Sequence, residues 1–448
     1  MSNLINIFKR LPHREAYSLA WPMILGNISV PLMGLADTAM LGHLPQSVFL
    51  GGVAIGATVI AAMYWMFSFL RMGTTMNAAR AVGEKDDALL IAVLLQNLLI
   101  AFTLGLLVVV GQFVTIPLAL WLIEPDAALM KVIAEYSQIR IYSAPAVLVT
   151  YVITGWFIGL QNTRVILMIM LIVNVLNIAL DYLFIVHWNM EARGAAFASL
   201  AAEYVGLTVA VCWALHRLKR LGVNQLWSQA LSRFHSWGKA FSTNTDLFFR
   251  TCALLFVFNF FNAVSAGFGH DTLAANAILL QLLLFVSFCL DGYAHAAEAM
   301  IAKALGAMNI RAFYEASTVI AVMAVLIALL LTVFLLAGAH VIFPRLSDIE
   351  EVVRITHQYS LWLFVLPMVS VWCYLFDGIF IGAGKTRTMM VSMLFALFLV
   401  FIPTWWFSRS WGNHGLWLAF ILFNAARGVT LAWAFWGISR RKGWLLSI

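Results

Sequence analysis

The chain has 448 residues, of which 63% are hydrophobic and only 10% are charged, with a mean hydropathy of +0.92; a soluble globular protein carries roughly 25% charged residues. Apolar runs long enough to cross a bilayer recur from end to end and are continuous rather than alternating, which points to an all-α polytopic membrane protein and argues against a β-barrel. The net charge of +7 reads as membrane topology and calls for no nucleic-acid partner.

Twelve spans are predicted in chain order, at about 17–41, 52–79, 88–115, 131–157, 165–187, 194–214, 247–268, 274–302, 312–339, 355–382, 388–407 and 413–437, each long enough for a ~30 Å hydrocarbon core. The first follows Lys9, Arg10 and Arg14. It is too long for a signal-peptide core and has no clear cleavage site, so it is read as retained. With a cytoplasmic N-terminus, most Lys and Arg fall on the cytoplasmic side. The largest groups are Arg217, Lys219, Arg220, Arg233, Lys239 and Arg250 in the 217–250 segment, and Arg440, Arg441 and Lys442 at the end. The first external loop, GHLPQSVF, has neither residue. Both termini are therefore expected in the cytoplasm.

A carboxylate at the centre of a membrane helix costs roughly 2.5–3.5 kcal/mol on insertion scales, so each one calls for a cavity or a partner. Span one carries Asp37 within PLMGLADTAMLGHL, preceded by Pro22, Gly26, Pro31 and Gly34. Proline removes a backbone hydrogen bond and small residues allow close packing, so Pro22 and Gly26 mark a candidate hinge whose bend answers to Asp37. Span two contributes Arg71, and Arg140 in span four lies near the outer interface, where a long side chain can snorkel. Span five reads LIVNVLNIALDYLFIV, which places Asn174, Asn177 and Asp181 on one helical face. If Asp37 faces that stripe, the two carboxylates sit together in low dielectric and favour holding a proton or Na⁺ between them. Span six adds Glu203. In the second half, Asp291, His295 and Glu298 share a face of span eight, which admits a proton relay or an ion-pair network with Arg71 or Lys303. Asp377 lies in span ten, and Arg427 in span twelve needs a partner.

The chain also repeats itself. GWFIGLQNTR (155–164) resembles GIFIGAGKTR (378–387), ARAVGEKD (79–86) resembles AKALGAMN (302–309), and FLGGVAI (49–55) resembles TLAANAI (272–278), all at an offset of 223. Two halves of six spans follow, 1–222 and 238–448, joined by a cytoplasmic linker at 223–237 within the basic segment 216–239. An even number of spans per half makes them parallel repeats about a pseudo-two-fold along the membrane normal, an arrangement typical of secondary transporters. At that offset Asp37 corresponds to Phe260 and Asp181 to Thr404, so the ion site is one-sided. Trp188, Trp405, Trp411 and Trp436 fall at span ends as an interfacial belt, and Phe256, Phe258, Phe260 and Phe261 are candidates to line a cavity. The four cysteines fall in apolar runs without paired spacing, and no Walker motif, nucleophile elbow or HExxH occurs, so neither a metal cofactor nor an enzyme is expected.

The elements WPMILGNISVPLMGLADTAMLGHL, LNIALDYLF, AEAMIAKALGA and FIGAGKTR resemble the multidrug and toxic compound extrusion family, within it the branch named for the DNA-damage-inducible protein F. The resemblance covers essentially the whole chain. It implies a V-shaped, twelve-helix transporter of the bacterial inner membrane, expected to be a monomer, that exports amphipathic or cationic drugs in exchange for H⁺ or Na⁺ without a cofactor. It implies a coupling site at Asp37, Asn177 and Asp181, a further hydroxyl ligand at Ser199, and a bend at Pro22. Span seven has no acid to pair with Asp377, which favours coupling in the first half, to protons. Two rivals stay open. A lipid-linked precursor flippase would need a strongly basic cavity, for which Arg71 and Arg427 are too few. A membrane-embedded acyltransferase would need a histidine cluster, which His43, His187, His295 and His357 do not form.

Overall fold

The computed structural model describes residues 12–42, 44, 46–233 and 237–445, apart from the side chains of residues 47 and 237–242. Lys9, Arg10, His43 and the side chain of Lys239 lie outside the described residues. Twelve helices long and apolar enough to span a membrane occur among them: α1 (His13–Gly42), α2 (Val48–Glu84), α3 (Asp87–Val110), α4 (Ala127–Gly159), α5 (Thr163–His187), α6 (Glu191–Arg220), α7 (Thr243–Ala266), α8 (His270–Gly306), α9 (Ile310–Leu346), α10 (Glu350–Gly382), α11 (Thr386–Trp411) and α12 (Asn413–Arg440). They match the predicted spans in order and number. Several run past their apolar stretch because polar residues start them at the surface: Asp86 accepts from the Leu89 N–H at 2.9 Å to cap α3, and Asn309 accepts from the Ala312 N–H at 3.0 Å to cap α9. Large apolar side chains cover the outside; Leu107, Val110, Leu330 and Val333 are more than half exposed, which is the surface that lipid requires.

Regular helix is interrupted at chosen places. In α4 a 3₁₀ turn, Ile141–Ser143, precedes Pro145, which cannot donate into the ladder. In α5 the last turn, Tyr182–His187, is a π-helix that begins directly after Asp181. In α11 a second π-segment, Ala396–Phe401, occurs. Such bulges cluster at functional sites.

The chain folds into two compact units. One is Leu25–Ala240; the other combines the chain up to Ile24 with Phe241–Ile448. The division falls inside α1, between Pro22 and Gly26, although the helix is unbroken from His13 to Gly42.

The repeated glycine string has a packing cause. In the first unit, Gly155 faces the carbonyl of Arg71 and Gly159 faces that of Thr75. In the second, Gly378 faces the carbonyl of Ala294 and Gly382 that of Glu298. The partners are again 223 residues apart, so both the small residues and the backbone they admit are duplicated. These glycines let α4 approach α2, and α10 approach α8, without an intervening side chain. A Cβ on Gly159 would lie 2.6 Å from the Ala78 Cβ and 2.8 Å from the Ala79 nitrogen, and backbone cannot yield as a flexible side chain would. Gly159→Leu is therefore expected to cost about 1–3 kcal/mol or more, read as a lower melting temperature in thermal-shift size exclusion; an unchanged melting temperature would contradict this packing.

The phenylalanines of α7 mostly serve the interior of their own unit. Phe261 is fully buried and meets Trp417 edge-on at 4.9 Å, and Phe258 meets Phe420 at 5.6 Å. Edge-to-face packing of this kind adds to burial; Phe258 and Phe260 are half-buried and Phe256 is exposed.

Candidate functional site

The stripe on α5 turns inward as its spacing demands. Asn174, Asn177 and Asp181 are buried, Asp181 completely, whereas Leu171, Val175 and Tyr182 face outward. Asp37, half-buried on α1, brings its carboxyl into hydrogen-bonding contact with that of Asp181. With its nitrogen turned toward Asp181, the Asn177 amide donates to Asp181 Oδ2 at 3.1 Å and accepts from Ser199 Oγ at 3.1 Å and the Ser199 N–H at 3.2 Å. That leaves Asp181 Oδ1, a buried oxygen for which no protein donor is present. Two carboxyl groups in contact, one of them fully buried with an undonated oxygen, favour a proton or a cation shared between them.

The elements explain the placement. The π-turn widens the helix immediately after Asp181, so the carboxyl sits where the helical register changes. Asn174 has a different role from its neighbours: it donates to Ser29 Oγ at 2.6 Å, and Ser29 donates to the Gly26 carbonyl at 2.6 Å, which ties α5 to α1 about two turns before Asp181 on the same face. Gly26 lets Met170 of α5 approach, since a Cβ there would meet its sulfur at 2.7 Å. Pro22 is buried in the same helix. Asn177→Ala would remove the donor to Asp181 Oδ2; a lost hydrogen bond to a buried charged group is worth ~1.5–3 kcal/mol, so coupled transport by the variant is expected to slow by about tenfold or more. Wild-type rates would place Asn177 outside the working site.

Sequence reasoning missed the cation beside this pair. Arg140 and Tyr136 of α4 lie within electrostatic range of both Asp37 and Asp181. Arg140 does not snorkel: its side chain donates to Ser143 Oγ at 2.6 Å, pairs with Glu203 at 3.6 Å and lies over the Tyr64 ring, while the Tyr64 hydroxyl donates to the Arg140 carbonyl at 2.7 Å. Glu203 is thus the counter-ion of Arg140. A hydropathy reading sees only an arginine near a span end; the burying partners come from other helices.

The acids of the second half are engaged elsewhere. Asp377 Oδ2 accepts from Arg250 Nη2 and from Arg427 Nη2, both at 2.6 Å, with all three residues buried, and Arg427 Nη1 also donates to Asn424 Oδ1 at 3.2 Å. Arg250, grouped by sequence with the surface bases of the linker, is instead 8% exposed. The partner sought for Arg427 is therefore Asp377. Glu298 is buried beside His295 Nδ1 at 3.4 Å, and Lys303 pairs with Glu15 of α1 at 3.2 Å. Asp291 lies within electrostatic range of Tyr374 and Cys373. Arg71 lies within range of Tyr151. Cys289 and Cys373 are core residues, whereas Cys212 is exposed on α6. No cluster of three or more His, Cys, Asp or Glu with metal-ligand geometry occurs among the described residues.

The MatE family model matches the chain twice, over residues 22–183 and 247–406. DNA damage-inducible protein F of Escherichia coli strain K12 is 37% identical over 436 residues, spanning 96% of this chain and 93% of that protein. Multidrug and toxin extrusion protein 1 of Xenopus tropicalis is 22% identical over 437 residues, spanning 93% of this chain and 73% of that protein. Two solved structures share the fold. A MOP superfamily transporter from Pyrococcus furiosus superimposes with a TM-score of 0.85 at 19% identity, covering 98% of both chains. The Vibrio cholerae MATE transporter VcmN does so with a TM-score of 0.84 at 19% identity, covering 97% of this chain and 98% of its own.

Proposed function

Because the chain belongs to the MatE family of multidrug and toxic compound extrusion transporters, we propose that it is an H⁺-coupled antiporter that exports amphipathic, often cationic compounds through Asp37 and Asp181. The observation that carries this reading is the contact between the two carboxyls together with the undonated Oδ1 of Asp181. A proton entering from outside neutralises the pair and ejects substrate; its loss to the cytoplasm resets the site. The ion shifts the balance between two states only by binding one of them better. Residues 1–222 and 238–448 are read as two six-helix lobes with 223–237 between them, a reading supported by the paired family matches. Pro22 and Gly26 flank the point where α1 passes from one compact unit to the other, and they are the hinge in this reading. The working form is a monomer in a bacterial inner membrane with both termini in the cytoplasm.

Proton coupling is proposed because the contacting carboxyls of Asp37 and Asp181 can share a single proton without further ligands, whereas a hard cation needs several oxygens. A lipid-linked precursor flippase is not favoured, because Arg250 and Arg427 are already committed to Asp377. The reading is tested by adding ethidium to the purified protein in weakly buffered detergent solution. Proton release that is reduced in Asp37→Asn is expected; substrate binding without any proton release would overturn competition at this site.

A further inference from the structure

Between α6 and α7 the chain forms a short helix, Val223–Ser232, that is not needed to span the membrane. Gly222, at φ +73°, makes the sharp turn out of α6, a left-handed conformation that suits glycine. Ten residues rise only about 15 Å, so the helix stays on the face where α6 ends and α7 begins. At 100° per residue its sequence separates cleanly. Val223, Leu226, Trp227, Ala230 and Leu231 fall on one arc; Asn224, Gln225, Ser228, Gln229 and Ser232 fall on the other.

The protein covers only part of the apolar arc. The helix packs against α3, where Ala230 is fully buried and Val223 and Leu226 are half-buried. Trp227 and Leu231, on the same arc, remain 47% and 44% exposed. The end of α6 supplies positive charge beside them: Arg217 is half-buried and Lys219 and Arg220 are exposed. Two acids of the α2–α3 turn are engaged elsewhere: Glu84 pairs with Arg80 at 2.8 Å and Asp86 with Arg233 at 3.1 Å.

We propose that this helix is a membrane-surface anchor. Trp227 and Leu231 extend the apolar band of α3 into the headgroup–acyl boundary, and Arg217, Lys219 and Arg220 bind the phosphates of anionic phospholipids. An amphipathic helix with tryptophan on one side and adjacent bases is suited to lie in the interface of an anionic membrane. Charge complementarity between these bases and an anionic headgroup, beside an exposed tryptophan and leucine, singles out lipid as the occupant, over a second protein.

The test uses the full chain, with Cys212 and Cys252 replaced by Ser, in nanodiscs of phosphatidylcholine with and without phosphatidylglycerol. Nitroxides are placed singly by Trp227→Cys, Leu231→Cys, Gln225→Cys and Gln229→Cys. Expected is high O₂ and low nickel-chelate collision at 227 and 231, with the reverse at 225 and 229. Phosphatidylglycerol is expected to strengthen the contrast, and the combined R217Q, K219Q and R220Q variant to lose that dependence. Equal nickel-chelate access at all four positions would overturn the proposal. So would dipolar coupling between labels on two copies, which would assign the face to self-association.

Discussion

Asp181→Asn is expected to leave a folded transporter that cannot drive substrate uphill. Asparagine has the same shape and can still accept from the Asn177 amide, so the fold around α5 and α6 should persist. It cannot release or rebind a proton, so the carboxyl beside Asp37 is replaced by a group that never titrates. Ethidium efflux under an imposed pH gradient should fall to the rate of protein-free liposomes, while equilibrium binding of ethidium, followed by fluorescence anisotropy, should survive. Efflux at the wild-type rate would show that the buried carboxyl is structural.

Asp377→Asn should act on stability instead. The wild-type carboxylate neutralises two guanidiniums that are 8% and 3% exposed, each 2.6 Å from Oδ2. Removing the charge leaves two buried cations on α7 and α12 without it, and breaking a buried pair in this way costs about 3–5 kcal/mol. Loss of monodisperse protein, or a much lower melting temperature in size-exclusion assays, is expected. Replacing the three residues together by apolar ones, Arg250→Met, Asp377→Leu and Arg427→Met, should recover much of the loss, since a well-packed apolar substitute is often neutral. If Asp377→Asn melts like wild type but loses transport, the cluster belongs to the transport cycle and not to the framework of its unit.

These two carboxylates show what the sequence reveals. Asp181 was legible because it continues a stripe with Asn174 and Asn177 at helical spacing, inside a run where every other face is aliphatic. The glycine strings at 155–164 and 378–387 were legible as a repeat, and the structure explains them as matching close approaches of helix backbones. Asp377 was visible as an acid in a span, but its partners were not. Arg250 follows directly on a basic linker, and hydropathy cannot separate a base at the interface from one two turns deeper. Arg140 was misjudged for the same reason, because Glu203 and Tyr64 come from helices far away in sequence. The π-turn after Asp181 has no compositional mark. Asn174 shared the face of the acids but turned to Ser29, since spacing fixes a face and not a partner.

The claim that Asp37 and Asp181 couple transport to protons is tested most directly by ethidium efflux from proteoliposomes. A pH gradient alone and a Na⁺ gradient alone are imposed in turn, for wild type and for Asp37→Asn. Flux that follows the pH gradient, ignores Na⁺ and disappears in Asp37→Asn is the predicted result. Flux driven by Na⁺ alone, or flux in Asp37→Asn equal to wild type under the pH gradient, would contradict it.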